Sequence, residues 1–296
     1  MDTTRTQLRR LIARPGLIVA PVCFDPLTAR LVEETGFECA ALGGYALGAH
    51  LAASEPLLTM TEVVDASRRI AASIRIPLIV DAGTGYGDPL HIMRTMRELE
   101  RAGVAAVHIE DQVFPKRAHY HRDYREHTVA ADEMVTRIRY ACQARQDADL
   151  VIIARTDTMR TIGYAEGVRR ARMYADAGAD MVMLFPNTAD EAARAPYDCG
   201  TPLVYVNSAG NRVGRPVFST TELESMGYKL VADAISLVIA AYASAREALD
   251  CLRTTGHTGI DAQHAIATRQ AIERTIRLED YYRVEEETVE HEPGVS

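Results

Sequence analysis

The sequence predicts an α/β protein that closes as one (β/α)8 TIM barrel, and three observations carry that expectation. Eight short apolar runs recur along the 296 residues. Segments with apolar residues at three- and four-residue spacing lie between them, the mark of amphipathic helices. Helix ends are marked by a small residue and glycine before the next run, as at Thr35-Gly36, Ala102-Gly103 and Ala177-Gly178. That punctuation belongs to parallel βα units.

The expected strands are Leu17–Ala20, Cys39–Leu42, Pro77–Asp81, Ala105–Ile109, Leu150–Ala154, Met181–Leu184, Leu203–Val206 and Leu230–Ala232. Helical patterns cover Asp25–Thr35, Thr61–Ser73, His91–Ala102, Ala131–Ala144 and Tyr164–Ala177. Eight units in a chain of this length favour a barrel over a doubly wound sheet. The barrel is expected over 1–255, a helical extension over 256–283, and an acidic, disordered tail over 284–296.

The composition is 47% hydrophobic and 25% charged, with a formal net charge of −8. That suits one large buried core and, with no basic block, argues against a nucleic-acid partner. The start shows no signal-peptide core. The apolar stretch at 230–243 is broken by Asp233 and too short for a bilayer, so no membrane partner is expected. Five cysteines without a CxxC pair suggest reduced thiols and a cytoplasmic protein.

Chemistry is expected where strands end, because parallel α/β folds bind ligands at that edge. Leu78-Ile79-Val80 ends in Asp81, and Val107-His108-Ile109 ends in Glu110-Asp111. Two carboxylates on neighbouring strands suit a hard cation, Mg²⁺ or Mn²⁺. Glu110-Asp111 could instead be an acid pair at a helix start. Gly83, Gly85 and Gly87 could admit a ligand close to the backbone or serve only a turn. Arg155 ends another strand and could clamp a carboxylate bidentately, or pair with an acid such as Asp157. Asn207-Ser208 offers neutral donors, and the amides of Gly43-Gly44-Tyr45-Ala46 could bind an anion. The polar run 114–124 reads as a lid, with His119 and His121 as a metal pair or as ordinary surface histidines.

Taken together, these motifs resemble the isocitrate lyase / phosphoenolpyruvate mutase superfamily over about residues 10–255. The matching pieces are Gly43-Gly44-Tyr45-Ala46, Asp81 to Gly87, Ile109-Glu110-Asp111-Gln112 with Pro115-Lys116-Arg117, Ile153 to Asp157, and Val204-Tyr205-Val206-Asn207. The nearest likeness is to methylisocitrate and dimethylmalate lyases and to oxaloacetate decarboxylases. The resemblance implies Mg²⁺, a small 2-oxo- or 2-hydroxycarboxylate substrate, and a metal-stabilised enolate. It also implies a homotetramer with its last helices exchanged between subunits. By that resemblance Asp81 holds the metal and Glu110 acts through water. Tyr45, the backbone of Gly44 and Ala46, Arg155 and Asn207 would grip the substrate.

Three positions depart from the pattern. The lid cysteine that serves as acid/base is Ala118, the second aspartate of the glycine-rich motif is Gly83, and an aspartate before Leu57-Leu58-Thr59 is Ser54, with Glu55 beside it. The Asn-Ser that follows the lid lysine in the mutases and phosphonopyruvate hydrolases is missing, which argues against phosphorus chemistry. The expected activity is carbon–carbon cleavage or decarboxylation, with His119, Tyr120 or His121 replacing the cysteine. The alternative is a non-catalytic carboxylate-binding barrel or a scaffold subunit.

Overall fold

The structure, a computed structural model, describes residues 2–118 and 127–290. Eight parallel strands form a closed barrel in chain order: β1 (Ile18–Cys23), β2 (Ala40–Leu42), β3 (Leu78–Asp81), β4 (Ala106–Glu110), β5 (Val151–Arg155), β6 (Met181–Leu184), β7 (Leu203–Asn207) and β8 (Leu230–Asp233). Every expected strand is present, with ends shifted by a few residues. The helices are α1 (Thr4–Ala13), α2 (Pro26–Glu34), α3 (Gly44–His50), α4 (Met60–Ser73), α5 (Pro89–Arg101), α6 (Ala131–Ala144), α7 (Thr158–Thr161), α8 (Tyr164–Asp176), α9 (Ala189–Cys199), α10 (Thr220–Met226), α11 (Ser236–Thr255), α12 (Ala262–Thr275) and α13 (Leu278–Thr288), with a 3-10 turn at Glu55–Leu57.

Local chemistry sets the helix starts. Asp25 and Thr28 form a capping box around Pro26, and Thr59 with Glu62 does the same for α4. Asp88 caps α5, again ahead of a proline. The sequence patterns pass over α1 because it carries few apolar residues. It is held by charge instead. Arg5 reaches Asp147 at 2.9 Å and the Val104 carbonyl at 3.0 Å, while Arg9 reaches Asp180 at 2.6 Å. Its Leu8 and Leu11 pack into the apolar cluster of the barrel interior.

Strand side chains alternate between two layers. Ile79, Ala106, Ile153, Met183 and Val204 fill the interior, whereas Val80, Val107, Ile109, Ile152 and Tyr205 pack against the surrounding helices. Alternation also sorts the two adjacent acids at the end of β4. Glu110 follows Ala106 and His108 inward. Asp111 turns outward, where its carboxylate accepts from Arg170 at 2.9 Å, Tyr174 Oη at 2.8 Å and Thr156 Oγ1 at 2.6 Å. Asp111 is therefore a buried anchor between β4, β5 and α8, neither a ligand nor a helix-start acid.

The compact units are Met1–Val238 and Ile239–Ser296, so the division falls earlier than residue 255. α11 is one unbroken helix that starts just before it. Helix also continues past residue 284, to Thr288, where a disordered tail is expected. Acids at the N-terminal turn, Glu279 and Asp280, suit the helix dipole, and Asp280 pairs with Arg283 at 3.1 Å. Within this second unit Tyr242, Leu249, Ile266 and Tyr281 are exposed apolar side chains.

Removing Asp111 takes from buried Arg170 one of two carboxylates, Glu166 at 2.8 Å being the other, and takes the shared acceptor from Tyr174 and Thr156. Asp111→Ala should therefore lower the stability to urea by about 1–3 kcal/mol. A loss under about 1 kcal/mol would show that the anchor is dispensable.

Candidate active site

A cavity of about 230 Å³ opens at the C-terminal end of the strands. Its floor is apolar, with Val22, Ile79, Ile153, Met183, Val204 and Leu230. Its polar wall brings together Gly44, Tyr45, Glu55, Asp81, His108 and Arg155. Strand register explains much of this convergence. Asp81 is the Cα partner of His108 across β3–β4, and Glu110 is the partner of Arg155 across β4–β5.

Asp81 is 8% exposed. One of its oxygens accepts from the Gly83 amide at 2.8 Å and the other from the Gly44 amide at 3.2 Å. His108 Nδ1 lies 3.5 Å from the first. Burial alone would raise the Asp81 carboxyl, but His108 and Arg155 hold it below the usual carboxylate range. Burial lowers the His108 imidazole, and Arg155 adds to that against the pull of Asp81. The two shifts are linked through one close approach, Nδ1 of His108 to Oδ1 of Asp81.

Glu110 is fully buried. It meets Lys116 at 2.9 Å and Arg155 at 3.0 Å. Burial pushes its carboxyl up to about 7, against Arg155 and Lys116. Lys116 also contacts Glu55, and these two acids, opposing burial, keep its ammonium charged. On its other side Arg155 meets Asp157 at 3.1 Å. The salt bridge to Asp157 and the placement in the cavity wall therefore coexist in one guanidinium.

The glycine-rich loop serves backbone geometry. Gly85 has φ +86°, and a Cβ there would stand 2.4 Å from Ile92 Cγ1. Gly44 is required by closeness of acids: a Cβ would meet Glu55 Cγ at 2.8 Å and Asp81 Oδ2 at 3.2 Å. Gly83 has open space around it, so no packing forbids an acid there.

Other expected site residues lie elsewhere. Asn207 shares the outward face with Tyr205, and its amide closes a loop by bonding the Phe218 backbone at 2.7 and 3.2 Å. Val206 and Ser208 line the cavity in its stead. Ala46 is buried in α3 and does not line the cavity. The Gly44 amide already donates to Asp81. His119, Tyr120 and His121 fall outside the described residues. His108 also faces the cavity, since its place two residues before Glu110 puts it on the same face of β4. Arg160, Arg212 and Arg215 line the cavity as well, from α7 and the loop after β7, where no periodicity points inward.

Among the described residues, no three His, Cys, Asp or Glu side chains form a metal cage. Mg²⁺ needs less, since it keeps several waters and takes one or two carboxylates. Asp81 with Glu55, both against Gly44, fits that requirement. Glu110, closed between Lys116 and Arg155, fits it less well.

The family Phosphoenolpyruvate phosphomutase matches residues 8–253. The chain belongs to the isocitrate lyase / phosphoenolpyruvate mutase superfamily. It is 39% identical to a Corynebacterium glutamicum protein named "Probable 2-methylisocitrate lyase 2", over 85% of this chain and 81% of that one. The solved trigonal form of 2,3-dimethylmalate lyase superposes with a TM-score of 0.88 at 34% identity, covering 100% and 99% of the two chains. Oxaloacetate acetylhydrolase bound to 3,3-difluorooxalacetate also gives 0.88, at 30% identity and 96% coverage of each. The protein is an enzyme of this superfamily's carbon–carbon lyase class. Ser54 stands where the superfamily pattern has an acid, and its neighbour Glu55 stands against Gly44 together with Asp81.

The Glu110 carboxyl yields a pH signature. Its folded value is raised, so the folded state holds the extra proton, and stability should fall as pH rises from the ordinary carboxylate range through about 7. In urea titrations across that window, the wild-type curve should decline relative to Glu110→Gln. Parallel curves would mean that Glu110 ionises normally.

Proposed function

We propose that the protein is a Mg²⁺-dependent carbon–carbon lyase acting on a 2-hydroxy or 2-oxo di- or tricarboxylate, by retro-aldol cleavage or decarboxylation. The observation that carries this reading is Arg155: it lines the cavity beside Asp81 while Glu110 and Asp157 fix it from behind. A guanidinium held in this way needs little reordering to take a substrate carboxylate.

Breaking the carbon–carbon bond leaves its electron pair on the fragment that becomes an enolate. Mg²⁺, when bound, supplies a Lewis acid for the developing oxygen charge. Asp81, kept ionised, would hold the cation, with Glu55 as the second acid. Arg155 orients the carboxylate next to the breaking bond and offsets its charge. His108 is held beside Asp81 and can fix the orientation of that carboxylate. With Ala118 in the lid, the proton-transfer group falls to His119, Tyr120 or His121.

We further infer a homotetramer in which the helices after Val238 are exchanged between subunits. The apolar side chains exposed along those helices support it. No helix of the described residues is long and apolar enough to cross a membrane. The five cysteines are all free thiols, which fits a reducing, cytoplasmic setting.

The test measures cleavage of 2-methylisocitrate and 2,3-dimethylmalate and CO₂ release from oxaloacetate. Arg155→Lys keeps the charge and loses the fork, so kcat/KM should fall about 10–150-fold. Asp81→Asn should abolish both activity and the Mg²⁺-induced rise in Tm. Full activity in excess chelator would overturn the metal-dependent reading.

A further inference from the structure

The segment that leaves β4 supports Arg155 more than once. Glu110 meets the guanidinium directly at 3.0 Å. Two residues on, Gln112 is buried and does not line the cavity. Its Nε2 donates to Asp157 Oδ2 at 2.7 Å. Asp157 in turn accepts at Oδ1 from Arg155 Nη2 and Nε, at 3.2 and 3.3 Å. Gln112 and Arg155 therefore hold the same carboxylate.

Asp157 is set from both ends. Its backbone amide donates to Asp111 Oδ1 at 3.2 Å, while Gln112 fixes its side chain. Three consecutive residues, Glu110, Asp111 and Gln112, thus reach either Arg155 or the acid beside it. The residue type at Gln112 suits this task. Asp157 already faces Arg155 and, at 4.0 Å, Arg160. A neutral amide donor stops the carboxylate from turning and adds no further charge to a buried cluster. Burial would raise the Asp157 carboxyl, but Arg155, Arg160 and the Gln112 bond hold it below the usual carboxylate range.

Gln112 is itself anchored through its backbone. It pairs with Thr128 in an antiparallel bridge. The Val113 amide bonds the His127 carbonyl at 2.7 Å, and the Val129 amide bonds the Asp111 carbonyl at 2.8 Å. The Gln112 carbonyl accepts from Arg137 Nη1 at 3.0 Å. Its side chain therefore starts from a fixed point, as a group that orients another must.

We propose that Gln112 is a positioning residue, which fixes Asp157 so that the Arg155 guanidinium keeps its place in the cavity wall. This rests on the reading of Arg155 as the carboxylate clamp and names a residue outside the cavity on which the aim of that clamp depends.

The test is calorimetric titration with oxalate, in Mg²⁺, of the full chain and of Gln112→Met, Arg155→Lys and the double variant, with Tm measured for each. Methionine keeps the shape of glutamine and removes its donor. Gln112→Met should weaken oxalate about 10-fold in the wild-type background, the low end for a hydrogen bond to a charged group. In the Arg155→Lys background it should weaken oxalate less than about threefold, because no fork is left to aim. Gln112→Asn keeps the amide on a shorter stem and should lose less than Gln112→Met; it carries the cycle if Gln112→Met fails to fold. A merely structural role lowers Tm and weakens oxalate by the same factor in both backgrounds or in neither, and either result overturns the assignment of Gln112. Wild type that does not bind oxalate, or Arg155→Lys that binds it as tightly as wild type, overturns the reading of Arg155 beneath it. An intact Arg155 effect without coupling to Gln112 removes Gln112 alone.

Discussion

The site depends on one buried ionic contact, Arg155 against Glu110. Strand register makes the two residues Cα partners across β4–β5, and alternation turns both into the barrel. Neither charge is tolerable there alone, because a single buried ion loses several kcal/mol of hydration. Together with Asp157, Asp81, Lys116 and Glu55 they form a lattice in which Lys116 meets two acids and Arg155 three. Arg155 is immobilised at the cavity wall, and Lys116 ties the segment after β4 to Glu55 near the end of α3. The ordering is completed by folding and need not be supplied by substrate.

The same alternation explains how two neighbouring acids take unrelated roles. Glu110 enters the ionic lattice of the site. Asp111, one residue on, enters the layer between sheet and helices and joins Arg170, Tyr174 and Thr156. A dipeptide at the end of β4 thus links the chemistry inside the barrel to the packing outside it. Asn207 follows the outward branch of this rule and closes the loop at Phe218, leaving the cavity wall to Val206 and Ser208.

Much of this was legible in the sequence. Short, mainly apolar runs of three to five residues marked all eight strands, since parallel strands buried on both faces leave a nearly continuous hydrophobic trace. Asp81, Glu110 and Arg155 were found because each ends such a run. The side a strand-terminal residue faces was also available, by counting in twos, and would have recovered His108 and set Asn207 aside. Arg160, Arg212 and Arg215 were not legible. They reach the cavity from a four-residue helix and from a loop, where position depends on tertiary contacts with Phe185, Tyr205 and Asn211. α1 escaped for a related reason, since arginines bonded to distant carbonyls leave no periodic signal.

The departures from the superfamily pattern also acquire a physical reading. Glu55, next to Ser54, stands against Gly44 beside Asp81. Gly83 leaves open space, and its amide supports Asp81. The polar wall therefore carries two acids, Asp81 and Glu55.

The most direct measurement is a double-mutant cycle on urea stability with Glu110→Gln and Arg155→Met. Each single change leaves the other residue of the contact buried and short of one partner, a loss that the double change does not count twice. The predicted coupling is on the order of 2 kcal/mol, with the double variant more stable than the sum of the single losses. Additive losses, within about 0.5 kcal/mol, would contradict the claim that this contact organises the site.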